Sequence, residues 1–362
     1  MNPLRFSSLS IRNLRNLAHV DLTLAPRLTV ISGANGQGKT SILEAIYLVA
    51  TTRSFRTSRL REVVSHGSAA GSVKATICDG LEEREQIVGL DGSTRRVLLS
   101  GKRPQSLASY AVKSPVVVFH PGEMALSSGP ASHRRTLLDR IALFVDPTSM
   151  DHNARFTTAC RSRQKTLQLR GVQAAELDAF EQLIAQHGVA LSQARREATK
   201  RLVEHVLPTF ARITRGERTI ELRYQPGGPE DEAELQEALR RERERDLHRG
   251  SPSSGPHRDD LVIEIGGFGA RTDASQGEHR AITLALKLAE LACIAEARGV
   301  FPVLLLDDVS SELDPDRTTS FFETLLETPG QIVLTTTRPE LIRTPGLDER
   351  ADYSVQQGRI AS

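Results

Sequence analysis

Eight residues constrain this chain more than any others: Gly33-Ala34-Asn35-Gly36-Gln37-Gly38-Lys39-Thr40, which fit the pattern GxxxxGK[ST]. They follow the apolar run Leu28 to Ile31 and precede SILEAIYLVATT, whose apolar spacing is that of a helix. A glycine-rich turn between strand and helix lets successive backbone N–H groups face a phosphate chain, and the helix N-terminus adds the positive end of its dipole. Lys39 brings a point charge to the outer phosphates, and the Thr40 hydroxyl can ligate Mg2+. A purely structural turn would give Lys-Thr at this spacing no packing task. Gly33, Ala34, Asn35, Gly36, Gln37, Gly38, Lys39, Thr40 and Ser41 are therefore expected to wrap ATP.

A second stretch supplies the acids. Val303 to Leu306 is an apolar run that ends in Asp307-Asp308, the form of a buried parallel strand delivering carboxylates to the edge of a sheet where ligands bind. Asp307 is placed to hold Mg2+, directly or through water, and Asp308 to orient or deprotonate the attacking water. A strand ending in two aspartates is common by itself. Together with the glycine-rich loop it becomes specific.

The order of elements around these stretches predicts the architecture. Residues 4–31 alternate loosely as short strands and turns, and residues 72–119 return to strand-like material with turn signals at Asp79-Gly80, Asp91-Gly92 and Gly101. From about Ser132 to Leu247 the chain is rich in Ala, Leu, Arg, Gln and Glu at helical periodicity, with a break near Arg215 to Gly228. Its last part, EALRRERERDLHRG at 237–250, reads as a solvated helix face. After the linker SPSSGP at 251–256, LVIEI, a helix over 281–297, VLLLDD, FFETLLE and QIVLTTT alternate as in a doubly wound sheet. One α/β domain is predicted in two pieces, residues 1–125 and 251–362, interrupted by a mostly helical insertion at 126–250.

Composition narrows the setting. Of 362 residues, 39% are hydrophobic and 25% charged, the profile of a soluble globular protein. Cys78, Cys160 and Cys293 are far apart and odd in number, which fits neither a disulfide framework nor a zinc site. No stretch approaches the roughly 20 apolar residues of a membrane span, and the N-terminus lacks a signal-peptide core, so a cytoplasmic location without a membrane is expected.

Ser275-Gln276-Gly277-Glu278 opens the last long helix without any evident catalytic group. Ser275 and Glu278 match the S-x-x-E capping box, while the glycine permits close backbone approach of an anion to a helix start. Local chemistry leaves these two readings evenly balanced. Ser275 lies 236 residues from Lys39 but only 32 before Asp307, so the turn and the acidic strand form one supersecondary unit.

These pieces together, GANGQGKT, SQGE and LLLDD followed by Ser311-Glu312-Leu313-Asp314, resemble the Walker A, signature, Walker B and D-loop set of ABC-type ATPases. Their wording is similar to that of the RecF family, as are Leu14-Arg15-Asn16-Leu17, the stretch 33–57, Gly255-Pro256-His257-Arg258-Asp259-Asp260, GPASHRRTLLD at 129–139 and Thr335-Thr336-Thr337. The chain departs from the family at FHPGEM, residues 119–124, and at Leu17.

The resemblance implies a P-loop NTPase fold of the ABC-ATPase head type, a mixed sheet with helices, carrying the helical insertion. It implies an ATP-dependent homodimer that clamps double-stranded DNA at gaps in recombinational repair and replication restart, including the SOS response, with the RecO and RecR mediators as partners. In such heads Ser275, Gln276, Gly277 and Glu278 would reach the γ-phosphate held by the other subunit, Ser311, Glu312, Leu313 and Asp314 would form the D-loop, and Thr337 the switch. Asp308 stands where relatives outside the family carry a glutamate, and its shorter reach predicts slow hydrolysis. Net charge is only +2, so DNA contacts must rest on local patches; Arg134, Arg135, Arg161 and Arg163 are candidates. Aromatics at 4% favour duplex backbone contacts over base stacking. A transporter ATPase subunit, or a RecF- or SMC-like paralogue with another DNA role, is the alternative reading.

Overall fold

The computed structural model describes residues 2–80, 82–308, 330–342, 344 and 347–361. The chain divides into two compact units, Met1–Gly122 with Ile294–Ser362, and Glu123–Cys293.

The first unit begins with β1 (Asn2–Leu14), β2 (Leu17–Thr23) and β3 (Leu28–Ser32). β2 alternates between buried and exposed positions, as a strand covered on one face must. β3 is buried from Leu28 to Ile31, the pattern of a strand covered on both faces. It runs through the glycine-rich loop into α1 (Lys39–Thr51), in which every residue from Ser41 to Ala50 is buried. The helix packs against two sheets at once, which is why SILEAIYLVA carries almost no polar face.

One of these sheets is mostly antiparallel: β4 (Ala70–Asp79), β5 (Glu82–Asp91) and β6 (Thr94–Leu99) continue as a meander from β1, which also pairs with β2. Short α2 (Leu107–Ala111), started by a reciprocal Ser106–Ser109 cap, then leads to β7 (Val116–Phe119).

The second unit opens with α3 (Ala125–Ser128), α4 (Ala131–Val145) and a pair of long helices, α5 (Thr148–Arg170) and α6 (Glu176–Ile213), packed against each other. There follow β8 (Ile220–Gln225), α7 (Glu232–Arg241), α8 (Arg243–Arg249), β9 (Asp260–Ile265), β10 (Phe268–Gly269), α9 (Ala270–Asp273) and α10 (Gln276–Arg298).

Two sequence expectations are corrected here. The break near residues 215–228 contains a strand, β8, which pairs with β9 from Ile220↔Ile265 to Gln225↔Asp260. That ladder, and a core in which Leu202, Val206 and Phe210 of α6 join Leu261 and Ile263 of β9 and Ile282 and Leu286 of α10, carries the second unit on to Cys293 rather than ending it at residue 250. The linker at 251–256 is thus a loop inside the unit, and Ser275 belongs to the unit with the long helices. The second correction concerns the charged run at 237–250, which is not wholly solvated: Asp246 is fully buried and accepts a 2.7 Å bond from Arg163.

Beyond α10, β11 (Val300–Phe301), β12 (Val303–Asp307), β13 (Ile332–Thr336), β14 (Arg350–Gln356) and β15 (Arg359–Ala361) complete the first unit. The second sheet has the order β15-β14-β3-β13-β12-β7, all neighbours parallel except the β14–β15 pair. The expected helix FFETLLE lies outside the described residues.

GPHRDD turns out to organise the interior of the second unit. Asp259 is fully buried and accepts from Tyr224 Oη at 2.6 Å, Arg195 Nη1 at 3.0 Å and the Gly227 N–H at 2.8 Å, while Asp260 takes both arms of Arg134. Removing one partner of such a buried pair strands the other charge away from water. We expect Asp259→Ala to lower unfolding stability by about 3–5 kcal/mol, measured by urea or guanidinium unfolding of the whole chain.

Candidate nucleotide site

The strand order places the predicted chemistry at one edge of the parallel sheet. The glycine-rich loop leaves β3, Asp307 ends β12, and β13 lies between them in a register that sets Thr335 opposite both Asp307 and Ile31. Thr40 Oγ1, at the start of α1, donates to Asp307 at 2.8 Å, and Thr335 Oγ1 donates to the same carboxylate at 2.8 Å. The Asp308 N–H is held by Thr335 through its carbonyl and its hydroxyl, in a left-handed backbone conformation at φ 49°. Both acids therefore follow the position of one threonine.

The loop is shaped by what surrounds it. A Cβ on Gly33 would lie 2.4 Å from the carbonyl oxygen of Val355 on β14, so no larger residue fits there. Gly38 takes φ 118° as the N-cap of α1 and lies against Leu17 and Asn16. Asn16, in the β1–β2 turn, donates to the Gly36 carbonyl at 3.1 Å and accepts from Ser41 Oγ at 2.9 Å. Gln37 is tied to the far end of the chain, its carbonyl accepting from the Gly358 N–H and its side chain from the Gln357 N–H.

Lys39 is 6% exposed, and its ammonium donates to the Gly33 and Ala34 carbonyls at 2.7 and 3.0 Å. Burial pulls its pKa below the usual lysine value, against the opposing attraction of Asp308 and Asp307. A bound phosphate would replace those carbonyls and restore the charge balance. Thr40 and Asp307 offer hard oxygen donors of the kind Mg2+ prefers, and a hydroxyl plus one carboxylate is the usual protein share when phosphate oxygens and water fill the rest.

Beside these groups opens a cavity of about 1180 Å³, lined by Asn16, Lys39, Thr40, Asp307 and Asp308 at the loop and by Arg56, Arg61 and His66 elsewhere. Arg15 lines it too, clasped by both oxygens of the buried Glu44 on α1 at 2.7 and 2.8 Å.

The remaining predicted residues fall in different places. Thr337 stands just beyond β13, and Thr335 is the threonine that touches Asp307. Ser311, Glu312, Leu313 and Asp314 lie outside the described residues. Ser275, Gln276, Gly277 and Glu278 stand at the start of α10 in the second unit, where the capping reading of the turn is observed. The Ser275 N–H donates to Glu278 at 2.8 Å and the Glu278 N–H to Ser275 Oγ at 3.3 Å, a capping box. Ser275 is nonetheless exposed.

Two of the four DNA candidates are corrected. Arg163 is fully buried, bonded to Glu181, Asp246 and the Leu239 carbonyl, and Arg134 is 4% exposed in its pair with Asp260. Periodicity cannot tell a cation that faces solvent from one that answers an acid more than eighty positions away. Arg135 is half-buried and donates to the Asp259 carbonyl, and Arg161 is exposed. Glu123, in the divergent FHPGEM stretch, is buried 3.7 Å from both Arg140 and Lys287, so its acid serves an interior charge cluster.

A phosphate-shaped loop, a hydroxyl and carboxylate pair at the edge of a mixed sheet, and a signature-type helix start on a second unit define a P-loop ATPase of the ABC head type. The RecF/RecN/SMC N terminal domain family matches residues 5–358. The chain is 35% identical over 369 residues to the DNA replication and repair protein RecF of Myxococcus xanthus, covering 99% of this chain and 97% of that protein. It is 37% identical to the RecF of Anaeromyxobacter sp. strain Fw109-5, covering 99% of each. This chain belongs to the RecF family.

A solved structure of the recombination mediator protein RecF with ATP in the RecFOR pathway superposes with a TM-score of 0.87 at 26% identity, covering 99% of this chain and 97% of that one. The Smc head domain from Pyrococcus furiosus, at 17% identity and a TM-score of 0.55 over 99% of this chain and 95% of that one, shares the fold. Family membership sets aside the transporter reading.

Asn16 was not among the predicted ligands, yet it braces the loop from outside. We expect Asn16→Ala to weaken binding of a fluorescent ATP analogue about 5- to 10-fold, the effect of one or two lost hydrogen bonds, while the melting temperature moves little. Arg163→Leu should do the opposite, lowering stability and leaving nucleotide affinity intact in the folded fraction.

Proposed function

We propose that this chain is an ATP-dependent DNA-binding protein of replication and recombinational repair whose ATP acts as the glue of a head-to-tail homodimer. The observation that carries the reading is the Thr40–Asp307–Thr335 hydrogen-bond set beside Lys39, which brings groups suited to phosphate and Mg2+ together from one helix and two strands. The relatives' names supply the biological setting, DNA replication and repair. The RecFOR pathway named for the ATP-bound relative supports RecO and RecR as partners.

The chain's own groups divide the work. The loop N–H groups and the α1 N-terminus bind the phosphates, and Lys39 exchanges the Gly33 and Ala34 carbonyls for phosphate oxygens. Thr40 and Asp307 would hold Mg2+, which neutralises charge developing on the phosphates. Asp308 orients the attacking water or takes its proton. As an aspartate it reaches less far than a glutamate, so turnover is slow, and a long-lived ATP state suits a clamp on duplex DNA. The exposed Ser275 turn completes the site of a second copy, so ATP contributes to association only where two chains meet. Arg161 remains a candidate for phosphate contact on DNA.

Sedimentation velocity with and without ATP and Mg2+ tests this reading. Wild-type protein should shift from monomer to dimer with ATP, Lys39→Ala should bind nucleotide at least 10-fold more weakly and stay monomeric, and Asp308→Asn should accumulate the ATP dimer. Ser275→Arg should bind ATP and remain a monomer. An oligomeric state indifferent to ATP in all four proteins would overturn the mechanism, as would hydrolysis at tens of turnovers per second with saturating DNA.

A further inference from the structure

Phe268 is 67% exposed, whereas the other described phenylalanines are buried or half-buried. It sits in Gly266-Gly267-Phe268-Gly269, where β9 turns into the two-residue strand β10. The register Phe268↔Ile265 leaves Gly266 and Gly267 as a two-residue turn, and both take left-handed conformations, φ 56° and 83°. A two-residue hairpin turn with positive φ at both positions matches the twist of its strands and is short and rigid. The ring is thus projected outward by a stiff support.

The support is tied to the signature turn. The Gly266 N–H is held by the Thr219 carbonyl at 3.0 Å, and the Arg218 guanidinium, next in sequence, lies beside Gly266 and pairs with Glu278 at 3.1 Å. Glu278 is the residue that caps Ser275. From Phe268 the chain passes through α9, which contacts β10, and reaches Ser275 seven positions later. Gly266, Gly267, Gly269, Arg271, Thr272, Asp273, Ser275 and Gln276 are all exposed, so the ring stands as the apolar member of a polar and glycine-rich surface that includes the signature serine.

We propose that Phe268 is an anchor of self-association: on ATP binding it packs against a second copy of this chain at the rim of the Ser275 interface. A lone exposed aromatic in such a polar field has the form of an interface anchor, since aromatic rings carry most contact energy per residue while glycines and small polar groups around them permit close approach. The proposal rests on the in-trans reading of Ser275, because that reading supplies the occupant. Arg218 and Glu278 hold the hairpin in register with the serine, so the ring and the serine arrive at the partner together.

The chain contains no tryptophan, so Phe268→Trp creates a single-tryptophan protein whose emission reports this position alone. It is combined with Asp308→Asn to hold the ATP state, and emission and sedimentation are read on the same samples with and without ATP and Mg2+. A blue shift of emission that appears with the dimer, together with about 10- to 100-fold weaker ATP-dependent association of Phe268→Ala at unchanged melting temperature and unchanged monomer ATP affinity, is the expected result. A dimer that forms with no change in emission, or Phe268→Ala that associates as tightly as wild type, overturns the anchor and leaves the in-trans reading standing. If no dimer forms with ATP in wild type or in Asp308→Asn, both fall.

Discussion

Asp307 receives hydrogen bonds from Thr40 and Thr335 in a space that excludes water from most of its surface. Each donor arrives on a different element: one on the helix after the loop, one on the strand between. A polar group buried to this degree is costly unless its hydrogen-bond partners are in place. The register of β3, β13 and β12 is therefore as much a part of the site as the glycine-rich motif. Shifting β13 by one residue would turn Thr335 to the opposite face of the sheet and leave the acid short of a partner. The burial of α1 from Ser41 to Ala50 has the same effect at larger scale, because a helix clamped between two sheets has little freedom to tilt, and Thr40 is its second residue.

The second unit is organised by charge as much as by apolar packing. Arg163 with Glu181 and Asp246, Arg195 with Asp139 and Asp259, and Arg140 and Lys287 with Glu290 are ion pairs in which at least one partner is nearly inaccessible. Burial pushes the pKa of Glu290 up, but Arg140 and Lys287 more than offset this and hold it below the usual glutamate range. Such pairs add less to stability than their Coulomb attraction suggests, since desolvation consumes much of it. Their strength lies in exclusion: an alternative packing of α4, α5 and α6 would strand charges in the interior.

Much of this was readable in the residues. GANGQGKT between a strand and a helix, and LLLDD at a strand end, place Lys39, Thr40, Asp307 and Asp308 together from the sequence alone, because phosphate chemistry demands particular atoms at particular spacing. The capping box at Ser275 was equally legible, since it is a bond between neighbours. What escaped was everything that depends on a distant partner. Asn16 acts on Gly36 and Ser41 from the preceding turn, Thr335 rather than Thr337 meets Asp307 only because of strand register, and Arg163 reads as a surface cation until Asp246 closes over it. Strand β8 hid among helices for the same reason: IELRYQ gains its ladder from a segment that comes forty residues later.

The contact of Gly33 with Val355, and of Gln37 with Gln357 and Gly358, joins positions more than 300 residues apart. During synthesis the motif therefore emerges some 320 residues before the wall it leans on. A nascent or prematurely terminated protein lacking those strands would carry every residue of the phosphate loop and still lack its shape. The shape of the phosphate loop is therefore a property of the whole first unit and not of the eight-residue motif alone.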